Sequence, residues 1–162
     1  MTEPSADRPH IPGYGVPKTL NGLLPWAWAR ERLERATIYR FATASLDGRP
    51  HVIPIWGAWA GDAWYVEGGP TRWKRNLNEN PRIAIEIGDG AEVVMVEGDA
   101  EEARPTTPRE IAEIVEGYRK YADAGIYEVD PANWEGGGLW RLRPKLAIAW
   151  SSFPTDMTRF RF

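Results

Sequence analysis

The residues best suited to chemistry stand in one short stretch, Gly68-Gly69-Pro70-Thr71-Arg72-Trp73-Lys74-Arg75-Asn76-Leu77, which joins an aromatic segment to a basic one. Two glycines let a ligand come close to the backbone, Pro70 presets the entry into a helix, and Thr71 is a good N-cap whose hydroxyl can turn toward a phosphate. The first helical turn then adds unpaired N–H groups and partial positive charge beside Arg72, Lys74 and Arg75, so the stretch suits an anion. With about 100° per residue, Trp73 and Leu77 share the face that seats the helix, whereas Arg72 and Asn76 share another. Thr71 and Arg72 are therefore expected as the clamp and Asn76 as its support. Lys74, turned away from Arg72 on the helical wheel, is expected to reach a tail or solvent.

Other chemistries find less in this chain. There is no Cys, and Ser45, Ser151 and Ser152 lie in no nucleophile-elbow pattern. His10 and His51 are far apart in sequence, which argues against a protein-ligated transition metal. Glu101-Glu102 and Asp89 fall at strand ends and read as solvated faces, and Gly136-Gly137-Gly138 neither opens a helix nor leads to a Walker lysine, so it reads as a loop. The 20 Lys and Arg against 23 Asp and Glu leave a formal charge of −3, without the basic field that holds nucleic acid. No apolar run is long enough to span a bilayer and the N-terminus has no signal-peptide core, so a soluble, cytoplasmic protein is expected. Nine tryptophans suit a β core and also a planar ring or a dimer interface.

The elements that must position the basic stretch follow from periodicity. Residues 1–20, with Pro4, Pro9, Pro12 and Pro17, are expected as an extended arm without a core of its own, able to lie across a partner subunit; 21–162 read as one domain. Trp26, Ala29 and Leu33 share a helical face between Leu24 and Arg35. Period-two alternation from Ile38 to Ser45, the Asp47-Gly48 turn, a return strand from Arg49 to Trp59 and a third strand over 63–67 predict a meander that delivers the basic stretch. Pro54 marks an edge, a bulge or a departure from the neighbouring strand. Further strands are expected over 82–87 and from Glu92 to Gly98. Thr107-Pro108-Arg109-Glu110 opens the clearest helix, with Ile111, Ile114, Val115, Tyr118 and Ala122 on one face and Gly125 at its end. Strands over 139–142 and 145–150, extended by 158–162, complete a mainly β, α+β fold: an antiparallel barrel with two or three peripheral helices.

The segments Ala42 to Trp56, Thr71 to Leu77, Asn80-Pro81-Arg82 and Val94 to Gly98, in this order, resemble the pyridoxamine 5′-phosphate oxidase-like flavin and deazaflavin oxidoreductases, which are split β-barrels. The resemblance implies that Val52, Ile53, Pro54, Ile55 and Trp56 line the ring of a bound flavin largely through their backbone. It also implies that Thr71 and Arg72 hold its phosphate. Trp73 stands where many members carry Lys, with Lys74 one step later. The strand lacks the basic residue that vitamin-B6 oxidases present near Ile55, and the tail Thr158-Arg159-Phe160-Arg161-Phe162 is not their substrate-binding ending. These departures argue against pyridoxamine phosphate as substrate and toward the branch that uses FMN or the deazaflavin F420.

By the same resemblance the protein is a homodimer with two cofactor sites at the subunit interface, where Trp150 and Arg159 of one copy would complete the other's site. The implied activity is hydride transfer to or from a small conjugated organic substrate, with Tyr65 or water as a proton source. The alternative is a non-catalytic protein that binds or stores a flavin, haem or tetrapyrrole in the same groove.

Overall fold

A computed structural model of the chain describes residues 3–162. Strands dominate because the alternating segments each bury one face. In Tyr39–Ala44 (β2), Tyr39, Phe41 and Thr43 point inward, and in Arg82–Gly88 (β6) Ile83, Ile85 and Ile87 do so. The other strands are Ser5–Asp7 (β1), Pro50–Ile55 (β3), Ala58–Ala60 (β4), Ala63–Glu67 (β5), Val93–Glu102 (β7), Leu139–Trp150 (β8) and Thr158–Arg161 (β9). All pairings are antiparallel and run in the order β1-β9-β8-β7-β6-β2-β3, with β5 also joined to β8 and β4 to β5. The barrel is split, because β3 and β5 each have partners but do not pair with each other. Three helices, Trp26–Arg35 (α1), Arg72–Glu79 (α2) and Pro108–Asp123 (α3), cover the sheet, and a 3₁₀ turn spans Pro131–Trp134. The expected antiparallel split barrel with peripheral helices is the fold.

The return strand is shorter than periodicity predicts. It ends at Ile55, because a Cβ on Gly57 would sit 2.5 Å from the Trp64 ring and both backbone groups of Gly57 bond the Tyr121 hydroxyl. β4 therefore leaves β3 and pairs with β5, whose other neighbour is β8, so the expected three-strand meander is not formed. The segments 139–142 and 145–150 are one strand rather than two. Pro144 is accommodated opposite a register shift at Gly98, where a Cβ would lie 1.9 Å from the Arg143 carbonyl. The fifth predicted strand likewise continues to Glu102.

Helix α1 buries Trp26, Ala29 and Leu33, as its spacing requires, and the Thr107 hydroxyl caps α3 by accepting from Glu110 N. In the N-terminal segment, Ser5–Asp7 pairs with β9 of the same chain. Arg8 donates to the carbonyls of Thr19, Asn21 and Met157.

Candidate functional site

The split between β3 and β5 creates the setting. Along β3, the bond from Ser45 N to the Arg49 carbonyl fixes the parity of the hairpin. Positions 49, 51, 53 and 55 therefore share rungs with β2, while 50, 52 and 54 turn their backbone groups to the open edge. Pro50 and Pro54 have no N–H, so the outward edge offers Val52 N–H as its donor, flanked by carbonyls. The Val52 side chain is 61% exposed, and Ile53 and Ile55 pack against the main core. Pro54 thus occupies the edge position that its chemistry demands.

At the end of this strand a cavity of about 510 Å³ opens, within the range of small-molecule sites. β3 contributes Pro54 and Ile55 to its wall and Trp56 follows just beyond it, Glu67 ends β5 with Gly68 next to it, and α3 with its following loop contributes Tyr118 and Tyr127. Trp56 stacks on Tyr127 with ring centroids 5.9 Å apart and planes inclined by 30°, and leans on Tyr121 at the same distance. The Tyr118 hydroxyl donates to the Tyr65 carbonyl at 3.2 Å, and Trp134 Nε1 donates to Glu67 Oε2 at 2.5 Å. Burial, helped by the Glu67 charge, pushes the Tyr118 phenol well above its ordinary range, and burial pushes Tyr121 up to about 12. Both are fixed hydrogen-bond donors at neutral pH. Tyr65, suggested by the sequence as a proton source, lies outside this wall. Its phenol is buried, raised by that burial, and faces Arg141, whose charge opposes the rise.

Gly68 leads from the cavity directly into α2. Thr71 is the N-cap, and its side chain makes no capping bond, so the hydroxyl is free. The ion pairs of the described residues engage arginines on α1, β2, α3, β8 and β9, and none engages Arg72, Lys74 or Arg75. Three cations within one helical turn are therefore without carboxylate partners. Lys74 does not run to a tail or to open solvent. Its Nζ lies 3.6 Å from where a Cβ on Gly138 would be, a point 4.0 Å from the Gly68 carbonyl oxygen, because helical side chains lean toward the N-terminus. Asn76 is 4% exposed and donates to Thr43 Oγ1 at 2.9 Å, so it locks α2 to β2. Trp73 is buried, edge-on to Phe41 and Trp140.

Trp150 stands at the opposite end of β8 from the cavity, edge-on to Phe153. Arg159 is held bidentately by Asp7 at 2.7 and 2.8 Å. Within one chain neither reaches the cavity. Sequence reasoning missed Glu67, Tyr127 and Trp134, which belong to loops or strand ends without periodicity. Tyr118 was visible only as part of an apolar helical stripe.

A family model described as pyridoxamine 5′-phosphate oxidase matches residues 27–137. The chain belongs to that family. Among solved structures, a haem-binding protein from Mycobacterium smegmatis is similar at 21% identity and TM-score 0.64; the match covers 82% of this chain and spans 56% of the length of that protein. A FAD-binding protein from Mesorhizobium loti is similar at 18% identity and TM-score 0.59, covering 86% of this chain and 95% of that one. An F420 reductase is similar at 26% identity and TM-score 0.54, covering 73% and 94%. No curated protein matches. The same fold thus occurs in proteins described as haem-binding, as FAD-binding and as an F420 reductase.

Proposed function

We propose that the protein is an FMN- or F420-dependent oxidoreductase that transfers hydride to or from a small conjugated organic substrate, acting as a cytoplasmic homodimer. The observation that carries this reading is the group of unpartnered cations at the start of α2, joined by Gly69-Pro70-Thr71 to the Gly68 wall of an aromatic cavity in the split of the barrel. Thr71, Arg72 and Lys74 are the residues that would hold a phosphate, through charge, a free hydroxyl and the helix N-terminus. The outward edge of β3, with Val52 N–H and the neighbouring carbonyls, is the backbone against which a flat polar ring can be oriented. When bound, such a cofactor supplies the hydride-carrying atom. Trp56, Tyr127 and Ile55 exclude water from the end of that strand, which is left for the substrate. Because Tyr118 is held as a donor to Tyr65 O and its phenol is raised, the proton of a net two-electron reduction is assigned to solvent.

Haem storage finds less support, since among the described residues no His, Met or Cys lines the cavity, and of its two tyrosines Tyr118 is committed to the Tyr65 carbonyl, which leaves Tyr127 as the one axial ligand on offer. The visible spectrum of the protein purified without added cofactor, followed by titration with FMN and with F420, tests the proposal. Micromolar or tighter binding of one of them, with turnover of an acceptor, is expected. Absence of binding by both overturns it, and binding without turnover favours the storage alternative.

A further inference from the structure

Among the described residues, the cavity wall carries a single charged group, Glu67. Glu67 accepts from Trp134 through Oε2, while Oε1 has no protein partner among the described residues. Among the described residues no Arg, Lys or His lines the cavity. Lys74, the cation beside neighbouring Gly68, is directed to Gly138 and makes no ion pair with Glu67. Around this one carboxylate stand the faces and edges of Trp56, Tyr127 and Tyr118. A flat aromatic body fits between such rings, and a cationic one gains further from their negative faces. A carboxylate or phosphate on the same body would meet Glu67 with no compensating cation in the wall, at the cost of a desolvated like charge.

We infer that this cavity takes a planar heteroaromatic ligand that is cationic or presents an N–H to Glu67, and that Glu67 is the residue that rejects anionic analogues. Trp134 is the positioning residue: its indole N–H fixes one carboxylate oxygen and leaves the other for the ligand. The inference rests on reading the cavity as the substrate end of the site.

The test compares 4-aminoquinoline, cationic at neutral pH, with quinoline-4-carboxylate, by equilibrium binding to the full-length protein with and without saturating cofactor. At least tenfold tighter binding of the cation is expected. Glu67→Gln keeps an oxygen for Trp134 but removes the charge, and should abolish most of that preference while near- and far-UV circular dichroism stay unchanged. Trp56→Ala should weaken both probes and preserve their ratio. Equal or tighter binding of the carboxylate, no binding of either probe, or an unchanged ratio in Glu67→Gln overturns the inference. Failed cofactor titration with probe selectivity intact would instead overturn the oxidoreductase reading alone, and intact cofactor binding without selectivity would overturn this inference alone.

Discussion

Arg72 and Tyr121 illustrate two ways in which a single side chain matters here. Most arginines of this protein face a carboxylate, whereas Arg72 is free at a helix N-terminus beside a hydroxyl and a second cation. Replacing it by Ala should weaken FMN or F420 affinity by roughly 1.5–3 kcal/mol, the scale of a hydrogen bond to a charged group. Unchanged affinity in the titration would remove Arg72 from the clamp. Tyr121 acts on structure instead, because its hydroxyl satisfies both the N–H and the C=O of Gly57 at 3.0 and 2.9 Å. Tyr121→Phe leaves these groups unpaired at the corner where the barrel splits. A loss of about 1–3 kcal/mol in urea unfolding is expected, with little change if water enters to replace the hydroxyl.

At the scale of elements, α3 and the β1–β9 pair carry pH signatures of the same sign in two separate windows, because Lys120 and Asp7 both titrate below their unfolded values. On α3, Lys120 donates to the Glu34 carbonyl and the Tyr39 hydroxyl while packed over the Tyr39 and Tyr121 rings. Burial pushes its amine down to about 8 from 10.5, with the Glu34 charge partly opposing. Below about pH 8 the folded protein carries the strain of a desolvated cation. As pH rises from 8 toward 10 the unfolded chain holds the extra proton, and this contribution shifts in favour of the fold. The urea midpoint of the native protein, measured relative to Lys120→Met, should therefore rise across that window. A constant difference would contradict it. In β1, hydrogen bonding by Arg159, assisted by Arg161 against some burial, holds Asp7 at about 2, below its ordinary 3.8. That depressed carboxyl stabilises the pair above pH 3.8 and loses its effect as pH falls toward 2. The groups remain partly exposed to solvent, so the contribution is modest. Asp7→Asn should speed amide exchange in Ser5–Asp7 at pH 7 and leave the β6–β7 pair unaffected.

For the whole molecule, the open edge of β3 is the salient feature. Ile38, Val52 and Trp56 are 47%, 61% and 41% exposed around the cavity mouth, an arrangement that a second copy would cover. On the proposed homodimer, light scattering should give twice the 18.3 kDa chain mass. Val52→Lys, on the outward face of that edge, should shift the protein toward monomer and weaken cofactor binding together. A monomeric native protein with full cofactor affinity would reject the dimeric site.

Much of this was legible from local chemistry. Thr107-Pro108 opens α3, Asp47-Gly48 turns the β2–β3 hairpin, Trp73 and Leu77 seat α2, and Pro54 marks an edge, because caps, turns and alternating faces depend on neighbours a few residues away. The ordered segments from Ala42 to Gly98 likewise carried the family and its barrel. Only the tertiary structure decided that β4 leaves β3 for β5, since this follows from Trp64 and Tyr121 closing on Gly57 from elsewhere in the chain. It also decided that Lys74 returns to Gly138, that Asn76 locks onto Thr43, and that Glu67, Trp134, Tyr118 and Tyr127 meet at one cavity. The sequence by itself determined the capped, cation-bearing start of α2, because cap and charge are local; the cavity beside it exists only because long-range pairing leaves β3 and β5 apart.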